Sequence, residues 1–483
     1  MATTSLKKNA FYSVLKAFMN IAFPVITFPY ASRILTPDSI GCVNFSNSIV
    51  QYFLIFATLG IGNYGTREAA KIKDNKEKLS QFVMELFTIN FISTLIAYLL
   101  FFICFFCIPK LFPYRTLLLI SCTKILFTLI GFDWLYTAEE EFRYITLRST
   151  VFQIISLFFL FIFVKSPDDT NKYALFGIIA SVGSNVINFF YARKFVCFKI
   201  TSLHLLKHLK PIFVFFGMTL VISIYTILDT SMLGFLSTNA EIGFYSVATK
   251  ITNMVTSLLT AIIAILLPRL SFYVEKGLTA EFEQTIYKTI TIMQILSIPI
   301  VCGLVILAHP IILLISGNQY EHADIAMIIM APVVFKCVFE GIACETLSSQ
   351  KKEKISLYAC IAGATANIIL NAILIPVHGH RGAAIGTLIS QTVVMLGQII
   401  PQHIYFFRKK YIKNILSVIF STLIMSISVY IVIKYFESNI FKIVFSTGLG
   451  ILIYALCLFL TKNIIFLEYL RYFKNKYFSK FIK

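Results

Sequence analysis

The sequence predicts an all-α, polytopic membrane protein with about fourteen transmembrane helices: two six-helix lobes in parallel repeat, followed by two further helices. Three observations predict this class. The 483 residues are 58% hydrophobic and only 13% charged, whereas soluble domains carry about 25% charged residues. Apolar segments of membrane-spanning length recur along the whole chain. Lys and Arg gather in every second loop between these segments, as expected of a protein that crosses a bilayer many times.

The helices follow from length, because about 20 mostly apolar residues are needed to cross the hydrocarbon core. Fourteen segments meet this criterion: 10–33, 39–63, 80–107, 113–136, 143–165, 171–195, 209–235, 240–267, 284–308, 324–346, 354–377, 382–407, 412–434 and 439–461. Since fourteen is an even number, both termini are predicted to face the same side.

The distribution of basic residues predicts which side that is. Of the 42 Lys and Arg residues, 30 lie in loops on the side of the N-terminus, eight lie on the other side and four lie inside helices. Cytoplasmic loops hold the excess of positive charge. We therefore expect a multi-pass protein of a bacterial plasma membrane with both termini in the cytoplasm.

An internal repeat predicts the domain organisation. Ile40-Gly41 reappears 202 residues later as Ile242-Gly243, and Arg67 has its counterpart in Arg269. Transporter folds are often built from such duplications. The sequence thus predicts an N-terminal six-helix lobe at 1–200, a C-terminal six-helix lobe at 201–410, and two additional helices with a basic cytoplasmic tail at 411–483.

Polar residues spaced three or four apart form stripes on single helical faces inside the predicted membrane segments. The stripes share small or amide side chains with an occasional lysine: Asn44, Ser48 and Gln51 on the second helix, Ser246, Lys250 and Asn253 on the eighth, and Lys16 and Asn20 on the first. The repeat offset superimposes the stripes of helices two and eight. They predict a water-filled cavity, and the alternative for any single residue is hydrogen bonding between helices.

Four lysines lie well inside predicted helices, namely Lys16, Lys124, Lys250 and Lys336. A charge at mid-membrane costs about 2.5–3.5 kcal/mol on insertion scales, so these lysines require an explanation. One hypothesis is that they line the cavity and hold an anionic phosphate group. The alternative is structural, since each lysine could pair with Asp133, Asp229 or Glu340 or extend its ammonium to an interface.

Asp229 is interpreted as the only well-buried acid. It could bind a coupling ion or neutralise a neighbouring lysine. The sequence offers no catalytic constellation and no metal-ligand spacing, because the Cys104/Cys107 pair lies in an apolar helix where packing is the expected role. No cofactor is expected. The net charge of +19 is scattered between apolar segments, so nucleic acid is not an expected partner.

Several segments resemble the oligosaccharide flippase, or polysaccharide transporter, family, within the superfamily that also contains multidrug exporters and lipid II flippases. They are FPYASRILTPDSIGCVNFSNSIVQYFLIFATLGIGNYGTREAAK (28–71), GFDWLYTAEEEFRYITLR (131–148) and LDTSMLGFLSTNAEIGFYSVATKI (228–251). The resemblance implies two six-helix lobes plus two helices, and transport of an undecaprenyl-pyrophosphate-linked repeat unit for O-antigen, capsule or exopolysaccharide. It also implies a polysaccharide polymerase as a partner, and we expect a monomer.

Two alternatives remain open at this point. A cation-coupled multidrug exporter of the same superfamily would share the architecture, although a basic cavity disfavours cationic cargo. A membrane polysaccharide polymerase would share the lipid-linked substrate. Such an enzyme needs a catalytic loop on the outer face, and the longest predicted outer loop, 309–323, holds no cluster of acid, base and Arg. We therefore expect a transporter and not an enzyme.

Overall fold

A computed structural model describes residues 6–197, 203–407 and 410–473, and within these ranges every regular element is helical. The chain packs as two compact units, Met1–Ser246 and Val247–Lys483. The lobe boundaries that the sequence predicts at 200 and 410 stay predictions. Residues 474–483 of the predicted basic tail lie outside the described residues, and the side on which the termini lie also stays a prediction.

The first unit is built from ten helices and the start of an eleventh. They are α1 (Leu6–Ile34), α2 (Pro37–Thr58), α3 (Ile61–Ile72), α4 (Lys76–Cys107), α5 (Arg115–Leu129), α6 (Asp133–Ala138), α7 (Phe142–Phe163), α8 (Thr170–Ile178), α9 (Asn185–Ala192), α10 (Leu206–Leu236) and α11 (Asn239–Ile263). A 3₁₀ turn at Pro109–Tyr114 precedes α5, and one π-helical turn at Ile179–Gly183 joins α8 to α9.

The second unit begins within α11 and contains nine further helices. They are α12 (Leu266–Glu275), α13 (Thr279–Ile306), α14 (Ala308–Ser316), α15 (Ala323–Ser349), α16 (Glu353–Ile399), α17 (His403–Phe406), α18 (Lys410–Ile433), α19 (Asn439–Leu460) and α20 (Ile464–Phe473). Short 3₁₀ turns lie at Asn318–Tyr320 and Ile400–Gln402.

The prediction of a polytopic all-α membrane protein is confirmed. Twelve helical segments of the described chain are long and apolar enough to cross a membrane. This number differs from fourteen at two places. The predicted helix 209–235 corresponds to α10. Within the described residues its apolar part is Thr226–Leu236, which is too short to be one of the twelve. The predicted helices 354–377 and 382–407 correspond to one segment, Glu353–Phe406. Its kink at Gly379 (φ 53°, ψ −130°) separates two arms where the sequence predicts a loop.

Local sequence explains where the second predicted span begins and why it is interrupted. Thr36 caps α2 by accepting a hydrogen bond from the Ser39 N–H (3.2 Å), and Pro37 occupies the first helical turn, where it loses no hydrogen bond. The helix ends at Leu59 and Gly60, which both have left-handed backbone (φ 46° and 73°). A Cβ atom on Gly60 would lie 2.8 Å from the backbone nitrogen of Phe216, so glycine is required there for space as well as for conformation.

The repeated Ile-Gly pairs mark a close approach between α2 and α11 inside the first unit. A Cβ atom on Gly41 would overlap the carbonyl of Asn239, and one on Gly243 would overlap the carbonyl of Pro37. The contact is reciprocal, because each glycine lies against the first residue of the other helix. The pairing Gly41/Gly243 seen in the sequence therefore has a packing explanation.

A hydrophobic core of the first unit lies where α3, α4, α6 and α10 meet. Leu86, Leu135, Tyr136 and Ile212 are fully buried within it. The Tyr136 hydroxyl donates a hydrogen bond to the carbonyl of Asn188, so the core also ties α6 to α9. This core holds the end of α2 and the beginnings of α3, α6 and α10 beside the polar groups described next.

Candidate functional site

Lys124 is the best-defined member of the predicted site. Its Nζ atom donates a hydrogen bond to Asn47 Oδ1 (2.7 Å), and Ser121 Oγ donates to the same oxygen (3.2 Å). Asn47 lies on α2, and Ser121 and Lys124 lie one turn apart on α5, so a single amide joins two predicted spans. No acidic side chain of the described chain forms an ion pair with Lys124. The predicted pairing of this lysine with an acid is therefore not what the structure shows.

The polar stripe of α2 lies on the same helix as Asn47, but its members differ in their contacts. Ser48 is buried and donates to the carbonyl of Phe45 in its own helix (2.7 Å), as hydroxyls in apolar helices commonly do. Asn44 is half-buried, and its Nδ2 atom is sealed from solvent without a hydrogen-bond partner. Gln51 is also half-buried. The stripe thus contains one satisfied hydroxyl and one unused amide donor beside the lysine contact.

Asp229 is buried on α10, and the Tyr245 hydroxyl donates a hydrogen bond to its Oδ2 atom (2.6 Å). Two residues along, Ser231 exchanges a hydrogen bond with the Tyr52 hydroxyl (2.7 Å). Ser246, the next residue after Tyr245, is buried as well. Asp229 therefore belongs to a polar contact region between α2, α10 and the start of α11, and its predicted role in ion coupling stays a prediction.

Lys16 and Asn20 lie on α1, which packs against α7. Gln153 of α7 donates a hydrogen bond from Nε2 to Asn20 Oδ1 (3.2 Å), although Asn20 is largely exposed. Lys16 is half-buried and forms no ion pair with the residues that the structure describes. Since α1 packs against α7 and the hydrogen bond of Asn20 is made with α7, the structure does not join these two residues directly to Lys124.

The remaining predicted residues lie in the second unit. Lys250 is half-buried and Asn253 is exposed, one turn further along the same face of α11. Lys336 of α15 donates to the carbonyl of Leu388 (3.0 Å) and to the hydroxyl of Thr392, both on α16. These contacts favour the structural alternative for Lys336, because they hold two neighbouring helices together.

A polar cavity of about 300 Å³ in the first unit was not predicted from the sequence. It lies at the ends of α2 and α5 and at the beginnings of α3, α6 and α9, and it reaches α4 and the middle of α10. Its lining is rich in amides, hydroxyls and backbone: Thr58, Gly60, Ile61, Gly62, Asn63, Asn90, Thr128, Leu129, Gly131, Phe132, Asp133, Trp134, Asn185 and Thr219. The only sequence signals were the GFDW segment and the asparagines of the sixth predicted helix.

Glu85 corrects the interpretation that Asp229 is the only well-buried acid. Its side chain on α4 is only 1% exposed, and it accepts hydrogen bonds from the His204 N–H (3.0 Å), Lys207 Nζ (2.9 Å) and His208 Nε2 (2.7 Å). Because an ionised carboxylate can only accept, His208 Nε2 donates in this contact. His208 Nδ1 shares a hydrogen bond with the Tyr64 hydroxyl of α3 (2.8 Å). This chain fixes the first turn of α10 to α4 and α3.

Ion pairs near the ends of the spans brace the same end of the first unit. Arg148 Nη2 donates to Asp133 Oδ1 (2.8 Å), and Lys194 contacts Glu141 (3.2 Å). Lys73 Nζ donates to Glu140 Oε1 (2.8 Å), and this hydrogen bond raises the pKa of Lys73. These pairs join α3, α6, α7 and the end of α9, so the cavity has a rigid frame on this side.

Comparisons with known proteins agree with this arrangement. The polysaccharide biosynthesis protein family model matches residues 6–274, which is more than half of the chain, and the MatE family model matches 215–373. A putative O-antigen transporter of Escherichia coli (strain K12) is 25% identical over 81% of this chain and 95% of its own length. A capsular polysaccharide biosynthesis protein, CapF, of Staphylococcus aureus is 21% identical over 78% of this chain and 93% of its own length.

The fold is shared with solved transporters. The lipid II flippase MurJ in an inward closed conformation has a TM-score of 0.75 at 17% identity and covers 95% of this chain, and 99% of that chain is matched. An inward-facing multidrug resistance transporter of the MATE family has a TM-score of 0.57 at 13% identity, with 82% and 96% covered. At these identities the likeness shows the fold alone. With the family model matching more than half of its length, the chain belongs to the polysaccharide biosynthesis protein family.

Proposed function

We propose that the protein is a flippase that moves an undecaprenyl-pyrophosphate-linked oligosaccharide repeat unit from the inner to the outer leaflet of a bacterial plasma membrane, by alternating access. The product would feed O-antigen, capsule or exopolysaccharide synthesis. Support comes from the family and from the relatives, which are described as transporters of O-antigen and proteins of capsule biosynthesis. The helical fold shared with a lipid II flippase is consistent with this cargo.

Lys124 is the observation that carries the proposal. An ammonium group in an apolar span is costly. Here the Lys124 ammonium donates to the neutral amide of Asn47, which also accepts from Ser121, and no acid of the described residues forms an ion pair with it. Its positive charge is thus available to a negatively charged ligand. A pyrophosphate supplies both the charge and several acceptor oxygens, and a lysine binds phosphate as a compact point charge.

The other residues of the proposed passage are assigned to it from their positions in the predicted spanning helices. Lys16 and Lys250, with Asn20, Asn44, Ser48, Gln51, Ser246 and Asn253, would offer polar and cationic groups as the substrate moves between leaflets. The polyprenyl tail would stay in lipid, because its burial in a polar passage would lose apolar contact. Both termini would lie in the cytoplasm, the protein would act as a monomer, and a polysaccharide polymerase would receive the translocated unit.

A cation-coupled multidrug exporter is the second candidate, because the MatE family model matches residues 215–373. Buried acids at the substrate site would favour such cargo. Asp229 is held by Tyr245, and Glu85 is held by Lys207 and His208. With both acids bonded in this way and Lys124 without an acid, the first unit is better suited to an anion.

Complementation tests the proposal. The chain is expressed in hosts that lack their own O-antigen or capsule flippase, and surface polymer is measured together with the inner-leaflet pool of lipid-linked repeat units. We expect restored polymer and a depleted pool. Lys124→Met should reduce the restored polymer about 10- to 100-fold, as expected for the loss of a hydrogen-bonded charge contact of about 1.5–3 kcal/mol. Lys124→Arg should retain part of the activity.

Lys172→Met is the matched control, because Lys172 is exposed and already paired with Asp169 (2.6 Å). It should transport as the unmodified chain does. Equal activity of Lys124→Met and Lys172→Met at equal expression would remove the assignment of Lys124. Failure of the unmodified chain in every host, with measurable efflux of cationic drugs, would favour the exporter.

A further inference from the structure

Two helix interruptions meet at the polar cavity of the first unit. The membrane-spanning segment Pro37–Ile72 contains the left-handed residues Leu59 and Gly60, and a third left-handed residue, Phe132 (φ 49°), separates α5 from α6. Gly60 and Phe132 both line the cavity. Irregular backbone within membrane helices is tolerated where it lines a cavity, and interrupted helices mark substrate sites in transporters. The interruptions therefore point to a binding site.

The cavity lining is neutral and rich in groups that both donate and accept hydrogen bonds. The side-chain amides of Asn63 and Asn90 make no hydrogen bond to any described residue, and Asn63 is exposed. Thr58 uses its hydroxyl proton within its own helix (3.0 Å) and keeps its oxygen as an acceptor. The one charged lining residue, Asp133, is paired with Arg148. Such a set suits the hydroxyl and amide groups of a sugar better than a second phosphate.

Trp134, the one tryptophan of the sequence, adds an aromatic surface to this cavity. A Cβ atom on Gly65 would lie 2.7 Å from its ring, and Phe82 packs edge-on against it with centroids 6.1 Å apart. These contacts hold the indole in one orientation. An indole presents a broad apolar surface to the C–H face of a sugar ring, while amides around it bind the hydroxyl groups at the ring edge.

The cavity lies close to Lys124 along α5. Thr128 lines the cavity and donates a hydrogen bond to the carbonyl of Lys124 (2.7 Å), so the two residues share one face of the helix about 6 Å apart along its axis. In a lipid-linked oligosaccharide the pyrophosphate is bonded directly to the first sugar. Lys124 and the cavity are adjacent along α5, as the pyrophosphate and the first sugar are adjacent in such a molecule.

We infer that this cavity binds the sugar attached to the pyrophosphate, and that Asn63, Asn90 and Trp134 contact this sugar and determine which sugar binds. This inference rests on the proposed function. The volume of about 300 Å³ is at the lower end of the range for small-molecule sites, so it suits the first sugar and not a whole repeat unit. The site selects for hydroxyl and amide substituents, because a sugar that lacks one would leave a polar group of the cavity unpaired.

The test compares two lipids on the full-length protein in nanodiscs. One is the lipid-linked repeat unit extracted from the host in which the unmodified chain restores surface polymer, and the other is undecaprenyl pyrophosphate without sugar. The unmodified chain should bind the glycosylated lipid more tightly. Asn63→Ala and Asn90→Ala should each weaken that binding about 2- to 10-fold, the value of one hydrogen bond, and leave the Kd for the sugar-free lipid unchanged. Lys124→Met should weaken both.

Asn318→Ala is the matched control, because Asn318 is an exposed amide in the second unit, and it should change neither Kd. The inference is overturned if the unmodified chain binds both lipids equally, if the Asn63 and Asn90 variants weaken both lipids by the same factor, or if they weaken neither. If Asn90→Ala lowers the melting temperature, the test is made with Asn63→Ala alone, because Asn63 is exposed and its replacement should not affect folding. Failure of the unmodified chain to bind either lipid would instead overturn the proposed function.

Discussion

Lys124 of the first unit and Lys336 of the second lie 212 residues apart, at nearly matching positions of the predicted repeat, yet their contacts differ. Lys124 donates to the side-chain amide of Asn47. Lys336 donates to the backbone carbonyl of Leu388 and the hydroxyl of Thr392. A carbonyl in a helix is fixed in place, whereas an amide side chain can rotate. The contacts of Lys336 therefore suit helix packing, and those of Lys124 leave it able to change partner.

Glu85 provides a third case within the first unit. Unlike Lys124, the buried Glu85 side chain accepts hydrogen bonds from several donors and forms an ion pair with the exposed Lys207. A charge whose partners are complete contributes to holding helices in place, while a charge that lacks an ionic partner is available to a ligand. The comparison thus predicts that removing these three side chains affects different properties, stability for Glu85 and Lys336 and transport for Lys124.

The largest effect on stability is expected for Glu85→Ala. The change leaves the buried His208 Nε2 and the His204 N–H without this acceptor, so the free energy of unfolding should fall by about 1–3 kcal/mol. The melting temperature of the detergent-solubilised protein and the yield of folded protein report this loss. Glu281→Ala, at an exposed position of α13, should stay within about 0.5 kcal/mol. Similar melting temperatures for both variants would show that the Glu85 network does not hold α10.

Asn47→Asp makes the sharpest test of the difference between the two lysines. The new carboxylate would lie at hydrogen-bond distance from Lys124 Nζ, where Asn47 Oδ1 is 2.7 Å away, and would neutralise the lysine while keeping it in place. We expect binding of the pyrophosphate lipid to weaken about tenfold, which corresponds to about 1.4 kcal/mol, with an unchanged or higher melting temperature. Asn47→Gln keeps a neutral amide and serves as the control. Unchanged binding in Asn47→Asp would mean that the charge of Lys124 is not used.

Most of the fold could be predicted because spanning helices are set by the length of apolar runs, and every predicted segment is helical in the structure. The interruption at Leu59 and Gly60 could not, because average hydropathy carries no information about backbone dihedral angles. The glycines of IFATLGIGNYG do not by themselves distinguish a bend from a packed helix. Glycine is required at position 60 because Phe216 lies against it, and Phe216 is more than 150 residues away in the sequence.

The candidate site divides in the same way. Lys124 could be singled out from the sequence because one charge in an apolar run has a known cost. Its contact with Asn47 of α2 is seen only in the structure, and its place in the site stays a prediction. Glu85 has the same sequence signal in FVMELF, but its burial comes from partners at 204–208, more than 100 residues distant. The cavity was missed because its lining comes from five separate stretches of the chain whose proximity only tertiary packing creates.

Lys336→Met should have a smaller effect, and on stability alone. The Leu388 carbonyl keeps its hydrogen bond from Thr392 (2.7 Å), so the change removes a contact without leaving that acceptor unsatisfied. We expect a loss of about 1 kcal/mol in the free energy of unfolding and transport within twofold per folded molecule. Melting temperature and complementation measure the two quantities. A fall in transport as large as that of Lys124→Met would show that the two lysines share one role despite their different contacts.

The smallest effect is expected for Asn44→Leu, which removes the amide on the α2 stripe whose Nδ2 atom is sealed from solvent without a partner. Because an unsatisfied buried donor is costly and leucine is similar in size, the variant should unfold at an unchanged or slightly higher temperature, a gain of up to about 1 kcal/mol. If the amide serves the passage, transport should nevertheless fall about 2- to 5-fold, the value of less than one full hydrogen bond. Leu54→Met, a change of similar volume on the same helix, should alter neither property. A gain in stability without any loss of transport would make Asn44 a packing residue and would leave Lys124 and Asn47 as the first unit's contact with the substrate.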